Sequence, residues 1–109
     1  MPLLHLLRCF FVGALLINAI PHLVAGLMGQ RFPTPFAKPP GKGLSSAIVN
    51  LLWSFANLLL AAMLLRRAGG PDIAQTGDVA ALVLGMIVIG VQLAWHFGRL
   101  NGGKGPGAA

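Results

Sequence analysis

The side chains able to do chemistry in this chain are few. It has three histidines, one cysteine and two aspartates, with amides and hydroxyls set into apolar runs. His22 and His96 lie inside those runs, where a neutral imidazole can relay a proton or bind a metal or haem iron. Neither has an acidic partner nearby in the chain, so general acid–base catalysis lacks support and no catalytic residue is expected. Ser46 and Ser54 likewise have no acid to orient a histidine base, which removes the serine-hydrolase arrangement. There is no Cys-x-x-Cys, no His-x-x-x-His and no His/Cys cluster, so a metal site within one chain is not expected. No apolar run holds a carboxylate, which disfavours a carboxylate-driven antiporter; Asp78 reads as the N-cap of the third run.

The elements that must position these groups follow from composition. Of the 109 residues, 56% are hydrophobic and 9% charged, about a third of the charged fraction of a soluble domain at roughly 25%. So short a chain would expose large apolar patches unless lipid covered them. Residues 9–28, 44–65 and 79–97 contain no Asp, Glu, Lys or Arg, and each is long enough to cross about 30 Å of hydrocarbon. An isolated strand cannot satisfy its backbone in lipid, and no train of alternating segments suggests a barrel. The expected fold is all-α, with three transmembrane helices packed as a small bundle in one domain over residues 1–100. A flexible Gly-rich tail follows at 101–109. The first span resembles a secretory signal in its order of Arg8, apolar run and Pro21, but Leu23 stands where a small residue is preferred for cleavage after Ala25. A retained anchor is expected.

Net charge is +6. Arg8, Arg31, Lys38, Lys42, Arg66, Arg67, Arg99 and Lys104 all lie at or beyond the ends of spans, which fits a bilayer with anionic headgroups and not nucleic acid. Three spans place Arg8, Arg66 and Arg67 on one side and the other five cations opposite, so the first loop and C-terminus are expected in the cytoplasm. An Ala-, Gly-, Leu- and Pro-rich chain with more Arg than Lys suits a bacterial inner membrane.

Each span carries a polar or small-residue face. At about 100° per residue, Ser46, Asn50, Ser54 and Asn57 fall in a stripe roughly 80° wide, while Ala81, Gly85, Gln92 and His96 lie within about 60°. Ala14, Asn18, His22, Ala25 and Gly29 make the matching face of the first span. His22, Asn50 and Gln92 also share a depth of about 8–9 Å from the first-loop side. The candidate polar pocket is therefore Asn18, His22, Asn50, Ser54, Asn57, Gln92 and His96. Pro21 adds an Ile17 carbonyl without its usual partner. The plainer reading is a set of interhelical hydrogen bonds averaging about 0.6 kcal/mol, with His96 interfacial between Trp95 and Phe97.

Residues 29–43 hold four prolines and three basic residues. This segment reads as a stiff, extended loop on an anionic surface, with Phe32 and Phe36 dipping inward. Gly41, Lys42 and Gly43 precede Ser45 and Ser46, good N-caps for the second span. With Arg31 and Lys38 they form a candidate headgroup or anion site. The sequence names no cofactor. Its leading functional reading is a non-enzymatic membrane protein assembling with itself or with a larger membrane partner. The alternatives are a transporter or channel subunit, or a haem-, metal- or quinone-binding redox protein.

Overall fold

Long runs of Leu, Ala, Ile and Val leave the helix as the conformation that satisfies every backbone group without water. The computed structural model, which describes residues 2–67 and 70–101, accordingly contains three helices: α1 (Pro2–Leu27), α2 (Ala47–Arg66) and α3 (Thr76–Leu100). Each contains an 18-residue stretch with a mean hydropathy of 2.0 and is long and apolar enough to cross a membrane. Residues 102–109, nearly all of the expected tail and Lys104 among them, lie outside the described residues.

Helix α1 begins seven residues before the expected span, because Leu3, Leu4, Leu6 and Leu7 continue the helix and Pro2 fits its first position, where no N–H is needed. It ends in a paired-hydrogen-bond cap. Gly29 adopts φ +71°, its N–H donates to the Gly26 carbonyl at 3.1 Å, and the Gln30 N–H donates to Ala25 at 2.8 Å. Ser46 caps α2 as expected, accepting from the Val49 N–H at 3.2 Å. Asp78 is not the cap of α3. That place belongs to Gln75, and Asp78 lies three residues further on, buried against α1.

The packing is small inside and large outside. Cys9, Val12, Ala19 and Ala61 are fully buried, whereas Leu3, Leu52, Leu59, Ile87 and Val91 are exposed, the arrangement of helices whose neighbours are lipid tails and whose association rests on close backbone approach. Helix α1 is central and packs along both α2 and α3, while the Cα atoms of α2 and α3 nowhere come within 8 Å of each other among the described residues. The expected bundle is therefore an open one. A Cβ at Gly13 would collide with the Leu82 carbonyl, and one at Gly85 with the Phe10 carbonyl, so α1 and α3 touch backbone to backbone.

Between α1 and α2 the chain is folded rather than extended. Phe32 and Ser45 pair as an antiparallel bridge with N–H···O distances of 3.2 and 3.0 Å, and the Gly41 N–H donates to Thr34 at 2.9 Å. The Thr34 and Ser45 hydroxyls bond each other. Four prolines remove donors, and these bonds satisfy much of the remaining backbone internally, so the segment closes over one end of the helices as a cap.

Gly85→Ala should cost on the order of 1–3 kcal/mol by forcing α3 away from α1. Gly77→Ala, with open space around its Cβ, should leave the protein unchanged or slightly more stable. Unfolding midpoints of the detergent-solubilised variants compare the two directly.

Candidate functional site

The amides and imidazoles of the helices do come together, in three groups. Beneath the cap, Asn50 is 0% exposed and His22 3%. The Asn50 amino group donates to the carbonyls of Phe32 at 2.9 Å, Ser45 at 3.2 Å and Ser46 at 3.0 Å. Its oxygen therefore faces His22 Nδ1, 2.8 Å away. An amide oxygen only accepts, so His22 carries its proton on Nδ1. Phe32 and Phe97 close on the ring edge-to-face, with centroids 5.5 and 6.4 Å distant. One helical turn further in, Ser54 donates to the Leu51 carbonyl of its own helix. Asn57 donates to Trp53 at 2.9 Å and accepts from the Asn18 amino group at 3.1 Å.

The expectation that His22 and Asn50 share a depth therefore agrees with this bond. Gln92 does not join them. It is exposed on α3 and lines a second feature, the cleft that opens because α2 and α3 stand apart. This cleft holds about 490 Å³, within the range of small-molecule sites. Phe11, Ala14, Leu15 and Asn18 of α1 form its floor, Asn57 its α2 side, and Ile89, Gln92, Leu93, Trp95 and His96 its α3 side. His96 also lines a smaller pocket of about 200 Å³ with Lys42, Arg99 and Leu100. Its Nε2–H donates to the Gly41 carbonyl at 2.7 Å, which ties the cap to α3. The Arg99 guanidinium lies 4.5 Å above the Trp95 ring.

Of the expected anion site, Lys42 alone enters this basic pocket. Arg31 and Lys38 are exposed on the cap, Gly41 is the acceptor for His96, and Ser45 is buried in the bridge to Phe32. Gly43 serves the cap fold itself, since a Cβ there would collide with the Lys38 carbonyl. Lys42 and Arg99 meet at the end of α3 and not at the N-terminus of α2.

The third group lies at the far end of α1 and corrects the expectation that histidine and cysteine do not cluster. His5 Nε2 is 2.7 Å from Asp78 Oδ2 and 3.8 Å from Cys9 Sγ. The legible signal was the four-residue step from His5 to Cys9, one turn on one face of a helix; the part of Asp78 depends on how α3 docks.

No family model, no curated protein and no solved structure matches the chain, so its site has to be understood from its own chemistry.

Replacing Asn50 tests the cap. In Asn50→Leu the Phe32 and Ser45 carbonyls keep one backbone donor each, but the buried His22 N–H is stranded, a loss of about 1–3 kcal/mol. Amide exchange at Phe32 and Ser45 should accelerate accordingly. Ser54→Ala, which removes only a bond within one turn, should leave that exchange unchanged.

Proposed function

We propose that the protein is a non-enzymatic membrane protein that holds an anionic amphiphile in the cleft between α2 and α3. The observation that carries this reading is that one side chain, His96, lines both an apolar cleft and a pocket bearing Lys42 and Arg99. An acyl or isoprenoid chain fits against Phe11, Leu15, Ile89 and Leu93, and a phosphate or carboxylate fits between the two cations. The amides of Asn18, Asn57 and Gln92 accept and donate hydrogen bonds but neither take nor give protons at neutral pH, which suits binding and not turnover. By the distribution of positive charge, the cap and the cations belong on the cytoplasmic side of a bacterial inner membrane.

A second reading is favoured by one residue. Gln92 is an exposed amide in the otherwise apolar stretch 79–95 of α3, and an amide in lipid finds its partner on another helix. The cleft would then receive a helix from a second copy or from a larger membrane protein. The polar and small faces first suggested for such assembly hold this chain's own helices together, which leaves the cleft as the surface for it.

Native mass spectrometry of the protein released from bilayers of mixed phosphatidylglycerol and phosphatidylcholine separates the two. One retained phosphatidylglycerol per chain is expected. The pair Lys42→Ala and Arg99→Ala should lower retention roughly thirty-fold, from about 1 kcal/mol for each cation near the surface. Equal retention of the neutral lipid, or retention unchanged in the double variant, overturns the lipid reading. A defined oligomer without lipid supports the assembly reading instead.

A further inference from the structure

At the end of the molecule opposite the cap, three side chains of different chemistry converge from two helices. His5 and Cys9 stand one turn apart on α1, and Asp78 is the third residue of α3. The backbone contact between Gly85 and Phe10 holds these faces together, because Gly85 lies two turns beyond Asp78 on the same face and Phe10 adjoins Cys9. The ligating atoms Nε2, Sγ and Oδ2 all lie within 4.8 Å of one another.

The geometry distinguishes two possible uses. A thiol–imidazole–carboxylate relay runs in series, with the nucleophile on one ring nitrogen and the acid on the other. Here Cys9 Sγ and Asp78 Oδ2 both approach the same nitrogen, Nε2 of His5. Cys9 is also 0% exposed, which denies a substrate access to the sulfur. The three atoms surround a common point instead of forming a chain, and this is the disposition of ligands about an ion.

We infer that His5, Cys9 and Asp78 form a binding site for a divalent cation of the zinc class. Tetrahedral coordination with bonds of about 2.0–2.3 Å separates ligand atoms by roughly 3.3–3.6 Å. The observed 2.7 and 3.8 Å from Nε2 lie on either side of that range, each within an ångström of it, and Sγ and Oδ2 lie within 4.8 Å of each other, so side-chain adjustments bring the three atoms to an ion. One nitrogen, one sulfur and one oxygen exclude magnesium and calcium, which take oxygen ligands, and the sulfur selects a softer metal. The carboxylate is already oriented, since Asp78 Oδ2 accepts from the Asp72 N–H at 2.9 Å, the kind of supporting bond that metal ligands require. The His5 side chain keeps 31% exposure and Asp78 9%, so the ion enters from the His5 side and retains water as its fourth ligand. On binding, the Cys9 thiol proton leaves to water, the neutral imidazole carries its proton on Nδ1, and no electron changes hands. The ion would fasten α1 to α3 at the end that the cap does not reach.

The experiment uses the full chain, purified in mild detergent through a tag without histidine and titrated with Zn2+ and separately with Co2+. One Zn2+ per chain is expected, together with the visible bands of tetrahedral Co2+ and a thiolate-to-cobalt charge-transfer band. Cys9→Ser should abolish that band, and His5→Gln and Asp78→Asn should each weaken Zn2+ binding at least ten-fold, with helix content unchanged by circular dichroism. If a variant fails to fold, the charge-transfer band of the unaltered chain decides. Substoichiometric Zn2+ on the folded protein, Co2+ bound without a thiolate band, or undiminished binding by folded Cys9→Ser overturns the inference.

Discussion

The Asn50 carboxamide has to satisfy four groups at once: an imidazole and the carbonyls of Phe32, Ser45 and Ser46. Its two N–H groups are shared among three acceptors and its oxygen takes the His22 proton, so neither end is left over. The cap depends on this side chain. Residues 28–46 lie outside the helices, and an irregular backbone at the edge of an apolar structure is stable only where its polar groups find protein partners. Asn50 reaches both strands of the Phe32–Ser45 bridge from below, and His96 holds the same segment from α3 through Gly41. Phe32 then seats against His22 and Phe97, and Phe36 against Trp53.

Helix number and helix faces were legible because they follow from spacing alone. Of the stripe through Ser46, Asn50, Ser54 and Asn57 the last three are buried as its periodicity required, whereas Ser46 is exposed at the N-cap, and depth counting paired His22 with Asn50. What spacing cannot express is which of two faces meets which neighbour. Ala81, Gly85, Gln92 and His96 share a side of α3, yet Gly85 lies against α1 whereas Gln92 opens onto the cleft, because a helix packed on one neighbour buries only part of such a stripe. Separation of α2 from α3 was equally illegible, since a three-helix bundle and an open arrangement have the same hydropathy. The cap was hidden for another reason: its bonds join residues such as Phe32 and Ser45, or Gly41 and His96, whose pairing depends on the docked helices.

The two ends of the α1–α3 pair are held by different chemistry. At one end the link runs through the cap, with an imidazole N–H of α3 on the Gly41 carbonyl and Phe97 against His22 of α1. At the other end it is an imidazole against a carboxylate, with a thiol beside them. Between them the helices touch through Gly13 and Gly85, where shape alone matters. Positional tolerance is least in this middle region, because a backbone carbonyl has no rotamer with which to avoid an added methyl group.

Because α1 alone contacts both other helices, the order of synthesis coincides with the order of docking. The hub leaves the ribosome first, and each later helix arrives at a surface that already exists. Helix α2 and the cap are complete, apart from the bonds to α3, before α3 has been made. The two attachments meet at the cap, through His96 on Gly41 and Phe97 on Phe32 and His22: a chain with a poorly docked α3 would lose those contacts but keep the bonds from Asn50 to His22 and the cap, and quality-control proteases would meet a loose third helix beside an α1–α2 hairpin.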